Sequence, residues 1–242
     1  MRVYLIRHGQ STNNARPTPH APRTEDPILT ELGHRQAERL AQFMATHTDA
    51  HPISIENQVA TQKPGDFGIT RLYCSPMWRA LQTALPISLA LRLTPEVWDD
   101  IHEHGGIFLE HDGQLVGYPG KTRAEILATF PDYILPTSIT ERGWWNRDYE
   151  TFEATHIRGA IVADRLRQMA RDDTSDAQVI ALVSHQYFLW TVLKALFRWQ
   201  DESIKINHYN SGFSRLDFTA DDQIYVRYIN RLDHLTADLF TA

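Results

Sequence analysis

Residues 2–14 read RVYLIRHGQSTNN: an apolar run from Val3 to Ile6 leads straight into Arg7, His8 and Gly9, then into small hydrogen-bonding side chains. A short β-prone run closed by glycine predicts a buried strand over Arg2 to Arg7. Taken alone, the arginine beside the histidine is an ordinary polar turn at a strand end. Two further stretches share its shape, TRLYCS (Thr70 to Ser75) and QVIALVS (Gln178 to Ser184), and each leads into a helical pattern.

Helical spacing follows each of these runs. Thr30 caps a segment with Leu32, Ala37, Leu40, Ala41 and Met44 on one face. MWRALQTALPISLALRL continues the second run, with Pro86 as an expected kink. Glu150 to Arg171 is a long amphipathic pattern that enters the third run through the polar turn DDTSDA, and Tyr187 to Phe197 is the helix after it. Strands alternating with helices predict an α/β fold, a parallel sheet covered on both faces. GFSRLDFT and QIYVRYI alternate in period two around Ala220, Asp221 and Asp222, which predicts a closing antiparallel hairpin.

Two stretches interrupt the alternation, 47–69 and 104–149. Within the second, Thr122 to Glu125 (TRAE) has the capping-box pattern and predicts a short helix running to Phe130, ahead of Pro131. At 242 residues the expectation is one domain, 1–242, with a partly structured cap at about 104–149.

Composition narrows the partners. The net charge is −6 and the basic residues are scattered among acids, so no basic face is offered to nucleic acid. No run approaches the roughly 20 apolar residues of a membrane helix, and the apolar run at the N-terminus is shorter than a secretion-signal core. Cys74 is the single cysteine, which rules out an internal disulfide and a thiolate zinc cluster and fits a reducing cytoplasm.

Ligands of open α/β sheets bind beyond the carboxyl ends of the strands. There the first run supplies Arg7 and His8, the second Arg79 in the first turn of its helix, and the third Ser184 and His185. Two guanidiniums and two imidazoles converging with helix N-termini predict a site for a compact anion, phosphate before carboxylate. The guanidiniums offset phosphoryl charge in a loose transition state, and a neutral imidazole nitrogen supplies a nucleophile.

In this ordered set, RHG after the first strand, SPMWRALQTA after the second, the glutamate of IHEHGG and VSH after a later strand, the chain resembles the histidine phosphatase superfamily, the phosphoglycerate-mutase-like proteins. RHGQSTNN with Asn14, DPILTELGHRQAERL, GKTRAEILATFPDY, Glu150 eight positions before Arg158, and Asn210 extend the likeness over most of the chain. The resemblance implies a three-layer αβα sandwich on a mostly parallel, about six-stranded sheet, with no metal or other cofactor. It implies His8 as nucleophile, Arg7, Arg79 and His185 as holders of the phosphoryl oxygens, and Glu103 as proton donor, protonated at the start by a partly desolvated site. Asn14, Ser11 and Gln186 are the expected auxiliary phosphate-binding residues. Gln186 departs from the family's habit of glycine after the second histidine.

The expected activity is hydrolysis of a small phosphomonoester through a phosphohistidine. The alternatives are a cofactor-dependent phosphoglycerate mutase, whose acid-led ERHYG-like stretch and HGN run are absent, and a phospholigand-binding protein with little turnover. Asp99, Asp100 and Glu110 compete with Glu103 as the acid. His102, His104 and His111 lack carboxylate or thiolate companions at ligand spacing and read as polar loop residues, not metal ligands. CSPMWR has four residues between Cys74 and Arg79, and no glycine, unlike the loop of cysteine phosphatases. Lys121, Arg123, Arg142, Arg147, Trp144 and Trp145 belong to the cap or its border, and Arg123 and Arg147 are candidates to read a second anion.

Overall fold

The structure is a computed structural model that describes residues 1–18, 20–49, 67–173, 178–201 and 203–242. Most of the 47–69 insertion, and the DDTSDA turn beyond Asp173, fall outside the described residues. The elements in chain order are β1 (Arg2–Arg7), α1 (Glu31–Thr46), β2 (Arg71–Cys74), α2 (Trp78–Leu91), β3 (Pro95–Val97), β4 (Phe108–His111), β5 (Gln114–Gly117), α3 (Arg123–Thr129), α4 (Phe152–Asp172), β6 (Val179–Ser184), α5 (Gln186–Leu196), β7 (Phe213–Phe218) and β8 (Ile224–Arg231).

Six strands form one sheet in the order β3-β2-β6-β1-β7-β8. β1, β2, β3 and β6 pair in parallel, while β7 runs antiparallel to both β1 and β8. The two faces of β1 show why the sheet is covered twice. Tyr4 and Ile6 join one core with Leu40 and Met44 of α1 and Leu81 and Ile87 of α2. Val3 and Leu5 join another with Val162 and Leu166 of α4 and Leu189 and Leu193 of α5. Period-two alternation with apolar residues on both sides is the pattern of a central strand, and each such buried side chain stabilises the fold by about 1.5–3 kcal/mol.

Local signals position the helices. The Thr30 hydroxyl accepts from the Gly33 amide at 3.0 Å and starts α1, and Thr151 does the same for α4. Thr122 and Glu125 form a complete capping box on α3, which ends against Phe130. Pro86 sits inside α2 without ending it. β3 was not anticipated: it has three residues and opens on Pro95, too short for a period to show. The 104–149 stretch contains the β4–β5 hairpin and α3. Ile107, Ile126, Phe130, Tyr133, Trp144 and Trp145 pack into the same core as α1 and α2, so it is anchored against the main sheet.

A buried carboxylate closes the other flank. Asp49 accepts from the Tyr4 hydroxyl at 2.8 Å, the Tyr228 hydroxyl at 2.9 Å, Arg215 Nη1 at 3.0 Å and Arg231 Nη1 at 2.9 Å. It joins the chain just beyond α1 to β1, β7 and β8. Burial, and then the Asp49 charge, push both phenols up. Removing one partner of a buried, hydrogen-bonded ion pair leaves uncompensated charge behind. Asp49→Ala is therefore expected to lower the unfolding free energy by about 3–5 kcal/mol, read from urea melts; a loss below about 1 kcal/mol would show the cluster to be solvated, as surface pairs are.

Candidate active site

Register brings the site together. Arg7 pairs across from Ser184 in the β1–β6 ladder and Cys74 from Val183 in the β2–β6 ladder. The residues that follow, His8, Ser75 and His185, therefore leave the sheet side by side at its carboxyl edge. The His8 and His185 rings are 5.0 Å apart between centroids, and the His8 amide donates to the Ser184 carbonyl at 3.0 Å.

His8 is fixed in one tautomer. Its Nδ1 lies 2.6 Å from the Gly9 carbonyl oxygen, which can only accept, so Nδ1 carries the proton and Nε2 the lone pair. Arg79 Nε donates to that Nε2 at 3.1 Å. Burial, then the charges of Arg79 and Arg7, hold the imidazole well below its ordinary value, in the neutral form. The glycine after it is a packing requirement, because a Cβ on Gly9 would stand 2.4 Å from the Gly33 carbonyl oxygen, and one on Gly33 would stand 2.1 Å from that of Gln10. The first turn of α1 thus rests directly on the loop that carries His8.

The guanidiniums are buried with donors left over. Arg7 Nη1 donates to the His208 carbonyl at 2.6 Å, while Arg7 Nε has no hydrogen-bond partner among the described residues. Arg79 Nη1 is likewise unpartnered in hydrogen bonds and lies 3.8 Å from Asp26 Oδ1. Burying unmade hydrogen bonds is costly, and an arrangement of that kind calls for an explanation. Burial lowers both guanidiniums, Arg7 to about 10, so both stay charged at neutral pH. Asp26, which the sequence reading missed, accepts from the Trp78 amide at 3.0 Å at the start of α2, and burial raises it to about 6.

Glu103 arrives on the loop after β3. Gly105 and Gly106, at φ +85° and +72°, make the turn that follows it, and the Gly106 position lies against the Trp145 ring. The carboxylate sits at the N-terminus of α5: Oε1 accepts from the His104 and Phe188 amides at 2.9 and 3.0 Å, and Oε2 from the Tyr187 amide at 3.2 Å. The desolvated pocket expected for it is thus replaced by a ring of backbone donors. Arg158 brackets the same loop, donating through Nη1 to the Asp100 and His102 carbonyls at 2.6 and 2.9 Å while Glu150 grips its other nitrogens at 2.8 and 2.6 Å.

Arg7, His8, Ser11, Asn14, Arg79, Glu103 and Gln186 line one cleft of about 280 Å³, to which Asn13, Arg23, Glu25, Met77, His104 and Phe108 also contribute. Ser11 donates through its amide and hydroxyl to Asn14 Oδ1 at 3.1 and 2.8 Å, which leaves the Asn14 amide nitrogen as the donor. Two expectations change. The Gln186 side-chain amide is engaged elsewhere, donating to the Ile206 carbonyl and Asn207 Oδ1 and accepting from the His208 amide. It steadies the segment whose His208 carbonyl holds Arg7. His185 is fully buried beside His8 and is not among the cleft-lining residues; its Nε2 is 2.7 Å from the Ser75 hydroxyl and its Nδ1 has no hydrogen-bond partner among the described residues.

The remaining candidates go to structural work. Cys74 is buried in β2, and burial pushes its thiol up. His102 lies against Trp145, His104 lies between Thr155 and Tyr149, and His111 pairs with Tyr118 in the hairpin. Arg123 donates to the Ile139, Leu135 and Pro136 carbonyls, Arg147 lies over the Trp145 ring, and neither lines the cleft, so nothing here supports the second-anion role expected of them.

Neutral burial of imidazoles has a thermodynamic consequence. Burial lowers His8, His102 and His185, and takes His208 and His234 to about 4. A histidine depressed in the folded state is protonated first in the unfolded chain, so its contribution is complete above about pH 6.5 and is lost as pH falls below it. Asp26, raised to about 6, opposes this by one proton. Stability is expected to drop between pH 7 and 4.5, with net proton uptake on unfolding; equal urea midpoints at the two pH values would contradict the neutral assignments.

An αβα sandwich with a cationic cleft at the carboxyl edge of its sheet is the class that fold and site define. The model of the histidine phosphatase superfamily (branch 1) matches residues 3–55 and 57–231, and the chain belongs to that superfamily. No curated protein matches the sequence. Among solved structures, a phosphoserine phosphatase variant from Entamoeba histolytica in complex with phosphoserine is 16% identical, with a TM-score of 0.57 over 97% of this chain and 99% of that one. A mycobacterial glucosyl-3-phosphoglycerate phosphatase with VO3 is 16% identical, with a TM-score of 0.57 over 95% and 98%. The α-ribazole phosphatase of Shigella flexneri is 20% identical, with a TM-score of 0.56 over 96% of each chain. Likeness at these identities concerns the fold. No helix among the described residues is long and apolar enough to cross a membrane.

Proposed function

We propose that the protein hydrolyses a small phosphomonoester through a phosphohistidine at His8, with no metal in the chemical step. The observation that carries this reading is the His8 Nε2 lone pair, held in the neutral tautomer against the Arg79 guanidinium, with Arg7 Nε and Arg79 Nη1 buried and without hydrogen-bond partners among the described residues. Bound phosphate draws Arg79 from Nε2 onto a phosphoryl oxygen, which frees the lone pair. Nε2 then attacks phosphorus as the ester P–O bond breaks, and Glu103 takes the proton brought by the substrate monoanion and passes it to the departing oxygen. Water attacks the phosphohistidine, its proton returns to Glu103, and inorganic phosphate leaves. Arg7, Arg79 and the Asn14 amide stabilise the equatorial charge throughout. His185 acts by backing the His8 ring.

The experiment is hydrolysis of p-nitrophenyl phosphate and a panel of alkyl phosphomonoesters with chelator present. Release of inorganic phosphate supports the reading. Interconversion of phosphoglycerates that needs a bisphosphate primer would replace it with a mutase, and inertness across the panel with retained ligand binding would replace it with a binding protein.

A further inference from the structure

Both peptide units that flank Gly9 are pinned from outside the loop. In the His8–Gly9 unit, the carbonyl accepts from Asn210 Nδ2 at 3.2 Å and from the Ser211 amide at 3.1 Å, while the Gly9 amide donates to the Thr83 hydroxyl at 3.1 Å. In the Gly9–Gln10 unit, the Gln10 amide donates to Gln36 Oε1 at 2.7 Å, and the carbonyl on the opposite edge is the one that accepts the His8 Nδ1 proton. A trans peptide unit is planar with its N–H and C=O opposed, so a grip on the N–H fixes where the carbonyl points. Gln36, which supplies that grip from α1, is fully buried.

The groups that orient Gln36 lie beyond β8. Its Nε2 donates to the Leu239 carbonyl at 2.7 Å and to the Thr241 hydroxyl at 2.8 Å. A carbonyl can only accept, so the Gln36 amide is turned with Oε1 toward Gln10. The Thr241 hydroxyl, having accepted from Gln36, gives its own proton to Asn210 Oδ1 at 3.0 Å. That turns the Asn210 nitrogen to the His8 carbonyl. One hydroxyl thus orients two buried amide side chains that hold the nucleophile's loop, and Thr241 itself does not line the cleft.

We infer that Thr241 is a positioning residue for the nucleophile: through Gln36 and Asn210 it fixes the peptide planes on either side of Gly9, and so keeps the His8 proton on Nδ1 and the lone pair on Nε2. Without the hydroxyl, Asn210 Oδ1 loses its donor and Gln36 Nε2 one of its two acceptors. A Gly9 carbonyl that swings away lets the ring proton move to Nε2, and that tautomer has no lone pair to offer phosphorus. The effect on rate rests on the phosphohistidine reading; the effect on the ring does not.

The test reads the ring directly, by two-bond ¹H–¹⁵N correlation spectra of ¹⁵N-histidine-labelled protein near neutral pH, with the His8 signals identified by their loss in His8→Gln. The wild type is expected to show the Nδ1–H tautomer alone. Thr241→Val should mix the tautomers and lower kcat for p-nitrophenyl phosphate about tenfold with KM within about twofold, and Thr241→Ser should restore both. A wild-type ring with its proton on Nε2 or shared between the nitrogens would overturn the inference without recourse to any variant. So would a Thr241→Val protein whose His8 signals match the wild type, or a loss in Thr241→Ser equal to that in Thr241→Val. A ring that responds to Thr241→Val in a protein that turns over no phosphomonoester sinks the phosphomonoesterase reading alone; full turnover with a ring unmoved by Thr241→Val sinks this inference alone.

Discussion

Replacing His8 with alanine is expected to lower kcat for p-nitrophenyl phosphate by on the order of 10⁴-fold or more, with the unfolding free energy from urea melts within about 1 kcal/mol of wild type. The other imidazole that borders the cleft, His104, has both ring nitrogens engaged, Nδ1 2.8 Å from the Thr155 hydroxyl and Nε2 2.6 Å from the Tyr149 hydroxyl. The second imidazole, His185, faces Ser75 with its Nε2 and does not line the cleft. Arg7 and Arg79 stay protonated. Water attacking a phosphoryl group still gripped by the arginines would retain part of the rate, so a residual activity is expected but a covalent phosphoenzyme is not. A loss of tenfold or less would remove His8 from the nucleophile's place.

The second large effect separates the acid from the grip. Glu103→Gln is expected to cut kcat/KM for an alkyl phosphomonoester by about 10³-fold, and for p-nitrophenyl phosphate by less than about tenfold. A nitrophenolate departs without a proton, whereas an alkoxide needs one. The same comparison controls for structure: a glutamine would turn its NH₂ toward one of the amides that now bond the carboxylate, and any resulting damage to the phosphate pocket would show on both substrates. Equal losses on the two would assign Glu103 to holding the first turn of α5 and return the acid's role to another group.

Where local chemistry decides the structure, the sequence was legible. β1 and β6 read as apolar β-branched runs because both of their faces are buried. α3 was visible in four letters because a capping box is self-contained, with Thr122 and Glu125 supplying each other's partners. The convergence of Arg7, His8, Arg79 and His185 followed from the strand ends alone, since parallel strands in register deliver their next residues to one edge.

Other parts depend on partners far away in the chain. Gln186 looked like a free amide beside the phosphate site, and only the arrival of residues 206–208 engages it. Arg123 had the charge to read a substrate, but three cap carbonyls claim it. Asp49 was hidden in a polar insertion, and Tyr4, Arg215, Tyr228 and Arg231, which bond to it, come from β1, β7 and β8.

The most direct measurement is rapid acid-free quenching of the enzyme during turnover of a ³²P-labelled phosphomonoester, followed by peptide mapping of the protein-bound label. A base-stable, acid-labile phosphoryl group is expected on the peptide containing His8, formed and lost as fast as the substrate turns over. Full turnover with no label at any quench time, or with the label on a different residue, would contradict it.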